Sequence, residues 1–164
     1  MYLVYVEDFP VEALTPAFPR PASFYKSRPE FLEMQKIIID SLLADGLKYP
    51  LCAINKLDNG IVYHVGMGMQ RLAALKKLDW PTCKVVVACR PTDYYIPLGI
   101  PIKNRKELED VFGTSLRKFH LAPNSFEAQP TEDPKQWDPI RLRNEENKWL
   151  TKSQVTAKKT KIKT

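Results

Sequence analysis

Residues 62–78, Val-Tyr-His-Val-Gly-Met-Gly-Met-Gln-Arg-Leu-Ala-Ala-Leu-Lys-Lys-Leu, constrain the fold more than any other stretch of this chain. Val62 to Val65 alternates as a half-buried strand does, Gly66 and Gly68 interrupt it, and beyond Met69 the apolar residues recur at helical spacing. A strand that passes so abruptly into a helix calls for a layered α/β arrangement. The junction also favours one kind of chemistry. The first N–H groups of a helix have no internal partner and lie at the positive end of its peptide dipoles, so an anion is stabilised there. Gly66, Gly68, Met69 and Gln70 are the candidate backbone donors, the glycines permitting close approach.

Arg71 follows in the first turn. At 3.6 residues per turn it falls inside the apolar arc of Leu72, Ala74, Leu75 and Leu78, while Ala73, Lys76 and Lys77 fall outside it. Its guanidinium therefore faces the protein body, where an unpaired ion is costly. Two partners satisfy that demand: a carboxylate of this chain, or an anion from outside. The residues alone leave both open.

With 164 residues the chain has room for one core, and its 44% hydrophobic and 27% charged residues are ordinary globular proportions. No apolar run approaches the roughly 20 residues needed to span a bilayer. The start, Met1 to Asp8, has no basic region and turns acidic at once, which argues against a signal peptide. Cys52, Cys83 and Cys89 are odd in number, lack Cys-x-x-Cys spacing and lie in or beside apolar segments. A reduced, cytoplasmic protein is the expectation. His64 and His120 are far apart with no ligand cluster beside them, so no metal site is expected.

The net charge of +6 is concentrated at one end. Lys148, Lys152, Lys158, Lys159, Lys161 and Lys163 occupy the last stretch with no acid among them, which leaves the remainder neutral. Such a tail either binds polyanions such as DNA without sequence choice or simply solubilises a terminus.

Leu3 to Val6 reads as an opening strand, and Pro10, Pro16, Pro19 and Pro21 imply an extended loop after it. Ser27-Arg28-Pro29-Glu30 has the form of a capping box for a helix from about Arg28 to Ala44. Its apolar residues leave only a narrow polar stripe of Glu33, Lys36 and Asp40, so a mostly buried helix is expected, ended by Gly46. Leu51 to Ile54 and Ile61 to Val65 flank Asp58-Asn59-Gly60, a hairpin signal, and the β-branched run from Lys84 to Ala88 reads as a further strand. The order β, loop, α, β, β, α, β gives a compact α/β unit with a mixed sheet and flanking helices over residues 1–90. Residues 91–122 read as a short helical extension packed on that core, with Asn104 and Glu107 capping a helix to about Phe112 and Leu116 and Phe119 continuing the packing. Residues 123–164 read as an extended arm, one short helix from Pro139 to Leu150, and the disordered lysine tail.

The segment Ser41-Leu42-Leu43-Ala44-Asp45-Gly46-Leu47-Lys48-Tyr49-Pro50-Leu51, the Asp-Asn-Gly hairpin, and Gly68-Met69-Gln70-Arg71-Leu72-Ala73-Ala74-Leu75 together resemble the ParB N-terminal domain and sulfiredoxin superfamily, over about Tyr2 to Arg90. The resemblance implies that the Gly-x-x-Arg box holds the phosphates of a nucleotide, with or without Mg²⁺, and that the protein is DNA-associated. Members of the superfamily include nucleotide-dependent DNA clamps, sulfinic acid reductases, a serine kinase and nuclease-like domains, so fold alone does not decide between binding and catalysis. Sulfiredoxins place a catalytic cysteine inside the box, where this chain has Met69; partitioning ParB proteins carry two arginines there, where this chain has Gln70 before Arg71. Small free-standing members are frequent in phages, which implies a phage-encoded protein acting in the host cytoplasm.

Further residues have two readings each. By the same resemblance Arg20 or Arg28 reaches the phosphate; otherwise each is a surface charge. Glu30 serves as helix cap or as general base. Tyr63 and His64 alternate sides of the strand entering the site, so one lines it or both pack. Trp80 stacks on a base or seals the sheet edge. The alternatives to a nucleotide-binding module are a phosphoryl-transfer or nuclease enzyme, for which no metal-holding carboxylate is evident, and a ligand-free protein-interaction module.

Overall fold

The computed structural model describes residues 2–57, 61–89, 95–113 and 135–137. Strand β1 (Tyr2–Pro10), a 3-10 turn (Val11–Ala13) and β2 (Leu14–Pro16) open the chain, followed by helices α1 (Ala22–Ser27) and α2 (Glu30–Asp45). Strands β3 (Leu51–Leu57) and β4 (Ile61–Met67), helix α3 (Met69–Lys77) and β5 (Thr82–Cys89) complete the first unit. Beyond it come β6 (Tyr95–Pro97), β7 (Ile100–Ile102), α4 (Arg105–Phe112) and β8 (Lys135–Trp137).

Six strands form one mixed sheet in the order β2-β4-β3-β5-β1-β7. The β2–β4 and β3–β5 pairs are parallel; β3–β4, β1–β5 and β1–β7 are antiparallel. Strands β6 and β8 pair in parallel as a separate ribbon. This is the mixed α/β class expected from the sequence. The hairpin is present as the β3–β4 pair, while its Asp58-Asn59-Gly60 turn lies outside the described residues.

Both faces of the sheet are covered. On one, Val4, Val6, Leu51, Ala53, Tyr63, Val65, Val85 and Val87 pack against Leu72, Ala74 and Leu75 of α3 and Leu42 of α2. On the other, Leu3, Val86 and Ile102 meet Leu108 and Phe112 of α4. Val85, Val86 and Val87 are consequently all buried, which is why β5 reads as an unbroken apolar run instead of alternating. Helix α4 starts as its sequence dictates: the Asn104 side chain accepts the Glu107 N–H at 2.9 Å, and the Glu107 carboxylate accepts the Lys103 N–H at 2.6 Å.

Several local expectations are corrected. The proline-rich stretch is not a plain loop, because Val11, Ala13 and Leu14 are buried and β2 pairs with β4 in the register Leu14 to Tyr63. Pro16 is tolerated there since β2 is an edge strand that need not donate outward. Pro21 then caps α1, a helix the prolines were expected to forbid. The Ser27 capping box does not form. The Ser27 hydroxyl donates back to the carbonyls of Phe24 at 3.0 Å and Ser23 at 3.3 Å, and Pro29 occupies the N-cap of α2 without a side-chain cap. Helix α2 is also far from mostly buried. Only Leu42 is sequestered; Leu32, Met34, Ile37 and Leu43 are exposed, because α2 meets the rest of the fold along one narrow stripe beside α3.

Residues 114–134, 138–164 and the Arg90-Pro91 junction fall outside the described residues, and with them Leu116, Phe119, the Pro139 to Leu150 helix and all six tail lysines. Among the described residues no helix is long and apolar enough to cross a membrane.

Candidate functional site

The strand-to-helix junction is built from a bulge and a left-handed glycine. Opposite β3, Cys52 pairs with Met67 and Ala53 with Val65, so Gly66 is the extra residue that turns the end of β4 toward α3. A Cβ there would touch no heavy atom within 4 Å. Gly68 differs: it is the N-cap of α3 with φ of 96°, and a Cβ on it would stand 2.6 Å from Leu51 Cδ2 and 3.0 Å from Arg71 Nη2. Only glycine fits.

Gly68 provides no side-chain cap, and the first intrahelical bond runs from Leu72 N–H to the Gly68 carbonyl at 2.8 Å. The N–H groups of Met69, Gln70 and Arg71 consequently have no helical acceptor.

Arg71 folds back over Gly68. Its Nη1 donates to the Tyr49 carbonyl at 2.8 Å and its Nη2 to the Pro50 carbonyl at 3.4 Å, stapling the entry to β3 onto α3. Among the described residues the ion pairs are Lys48 with Asp45 and Arg105 with Glu109, both on the surface, so no described carboxylate neutralises Arg71. Burial pulls its pKa below the ordinary value, and the thiols of Cys52 and Cys83 act in the opposite direction. Burial pushes those two thiols up to about 12 against the pull of the same guanidinium, so both are protonated at neutral pH.

The residues singled out from the sequence are dealt into three separate depressions. Met69 and Gln70 line one of about 230 Å³ together with Arg20, Tyr25 and Lys76. Arg71 lines a second, of about 270 Å³, between α2 and Tyr49. Gly66 borders a third, apolar one on the opposite face of the sheet, beside α4. The wheel accounts for the first division: Met69 and Ala73 lie on the opposite side of α3 from Arg71.

Arg20 rests over the notch between two rings, its Cζ 4.8 Å from the Phe24 centroid and 4.9 Å from that of Phe31. Arg28 approaches Phe24 from the C-terminal end of α1 at 5.4 Å. Two guanidinium groups thus share one ring with no described carboxylate between them. Lys76, whose pKa partial burial lowers, stands between the Arg20 depression and another that contains Glu12 and Asp79.

Tyr63 is fully buried, edge-on to Phe9 at 4.7 Å, and does not line the site. His64 points to the other side of β4. Trp80 packs against the main core, and Glu30 sits exposed in the first turn of α2. Sequence reasoning missed Lys76, Tyr25 and Phe18. Lys76 fell on the polar arc of α3, and the other two lay in a stretch read as loop, where no periodicity marks a side chain as facing a site.

No protein-family model matches the chain, and no curated protein matches it. Among solved structures, a sulfiredoxin from Arabidopsis thaliana is similar over 52% of this chain and 85% of that chain, at 23% identity and a TM-score of 0.39. Among the described residues no three His, Cys, Asp or Glu side chains gather closely enough to hold a metal ion.

Proposed function

We propose that this protein binds a phosphate-bearing ligand, a nucleotide, at the first turn of α3. The observation that carries the reading is one depression in which Met69 and Gln70, at the open helix start, meet Arg20 and Lys76, with no acid in its lining. Phosphate is favoured by the helix terminus and by both cations, and Arg20 is oriented in advance by the rings beneath it. Tyr25 and the 73% exposed Phe18 supply aromatic surface at the same place. At about 230 Å³ the depression is below the roughly 300 Å³ at which small-molecule pockets usually begin. It therefore takes the phosphates and sugar, leaving the base to stack at the Phe18 rim. Arg71 is a positioning residue in this reading: it fixes Gly68 and the β3 entry from the far side of α3.

Titration calorimetry with ATP, CTP and tripolyphosphate, each with and without Mg²⁺, tests the proposal. Arg20→Ala and Lys76→Ala should each weaken binding by about tenfold, as loss of one charge-assisted contact does. Unchanged affinity in both variants, or no binding by wild type, rejects it. Association with DNA through Lys148, Lys152, Lys158, Lys159, Lys161 and Lys163 belongs to the same proposal. Their replacement by glutamine should flatten the salt dependence of duplex binding, by about 0.9 in logarithmic slope for each phosphate contact removed.

A further inference from the structure

The groove on the opposite flank of α3 has a different character. Arg71 and Lys48 are its cations, Ile37, Leu42 and Leu47 form much of its wall, and no carboxylate lines it. Ile37 is 68% exposed and Met34, one turn earlier on the same side of α2, is 44% exposed, so an apolar strip continues out of the groove along the helix. Lys48 leans toward Asp45 at 3.7 Å, a surface pair of little strength. The two carbonyls on Arg71 occupy donors of its guanidinium but leave its net charge uncompensated among the described residues.

We infer that this groove docks an acidic, aliphatic peptide segment of a partner protein, one carboxylate pairing with Arg71 while apolar side chains lie on Ile37 and Met34. Charge complementarity identifies the occupant. With one donor each of Nη1 and Nη2 on the Tyr49 and Pro50 carbonyls, Arg71 keeps its remaining guanidinium N–H groups and its full charge for a carboxylate at the end of an apolar groove. A more strongly hydrated phosphate dianion would lose too much solvation against Ile37, Leu42 and Leu47. The segment also supplies the aliphatic area that the exposed strip of α2 leaves uncovered. The groove is separated by α3 from Arg20 and Lys76, so the inference does not rest on nucleotide binding.

The test is fluorescence anisotropy of the full chain with a labelled Glu/Leu peptide of about three helical turns, roughly 11 residues, compared with its Gln/Leu counterpart. The acidic peptide should bind about tenfold or more tightly than the neutral one. Ile37→Glu and Ser41→Glu place a carboxylate at exposed positions in or beside the groove, where folding is not at stake, and each should abolish binding. Circular dichroism and tripolyphosphate affinity should be unchanged in both. Equal binding of the two peptides, binding that survives Ile37→Glu, or no binding at all overturns the inference. So does a dimer of the wild-type chain in sedimentation that Ile37→Glu dissociates, since the occupant would then be a second copy.

Discussion

The guanidinium of Arg71 lies across the α-carbon of Gly68, with Nη2 3.0 Å from the position a Cβ there would occupy. Leu51 Cδ2 closes the same space from the sheet side at 2.6 Å. Gly68→Ala should therefore cost about 2–4 kcal/mol, from a left-handed backbone on an L-residue plus overpacking. Gly66→Ala, facing open space at an ordinary φ, should stay within about 0.5 kcal/mol of wild type. Urea titration of both variants measures the contrast; equal losses would contradict it.

Removal of Arg71 should be felt by the unliganded protein. Arg71→Ala leaves the Tyr49 and Pro50 carbonyls without their donors and should lower stability by about 1–3 kcal/mol. Arg71→Lys, able to reach one carbonyl at a time, should lose less. An unchanged melting temperature for Arg71→Ala in calorimetry would show that the staple contributes nothing.

The thiols of Cys52 and Cys83 set an alkaline limit. Both are raised from about 9 to about 12 by burial, so their protonated forms are favoured by folding. An unfolded chain loses these protons first as pH rises, so the stability they contribute is full below about pH 9 and declines between there and about pH 12. Cys52→Ala and Cys83→Ala should each make that decline shallower in pH-dependent urea melts. A thiol reagent at pH 7.5 should modify both residues slowly in the native protein and rapidly in urea.

Phe31 is valuable for the charge it holds as well as for its packing. Phe31→Leu keeps an apolar side chain on α2 but removes one of the two rings under Arg20, which should cost about 0.5–1 kcal/mol of orientation. The measurable result is a loss of about two- to fivefold in tripolyphosphate affinity. Affinity equal to wild type would mean that Phe24 alone positions the guanidinium.

Helix α2 should respond to substitution by side rather than by residue type. Leu42→Ala removes a side chain that is 4% exposed and should cost about 2–4 kcal/mol, whereas Leu43→Ser, at a position 66% exposed, should change stability by less than about 0.5 kcal/mol. Comparable losses for the two would mean that the outer flank of α2 is covered in solution.

The alternation of β4, the periodicity of α3, the Gly46 stop, the Asn104 and Glu107 cap and the β-branched run of β5 were all legible in the sequence. Each depends on neighbours within one turn or one strand pair, where spacing is already geometry. The short partners of these elements were not legible. Strand β2 exists because β4 offers an edge, and α1 forms where Pro21 happens to serve as a cap.

By itself, the chain determined a mixed α/β unit and an inward-facing Arg71 beside a glycine-opened helix start, because backbone sterics and hydrophobic periodicity act locally. Only the tertiary structure decided that Arg71 would hold the Tyr49 and Pro50 carbonyls, that Met69 and Gln70 would open toward Arg20 and Lys76 instead, and that most of α2 would face outward. These outcomes turn on which distant surfaces compete for the same side chain. That competition is settled by packing in three dimensions, about which residue spacing along one element carries no information.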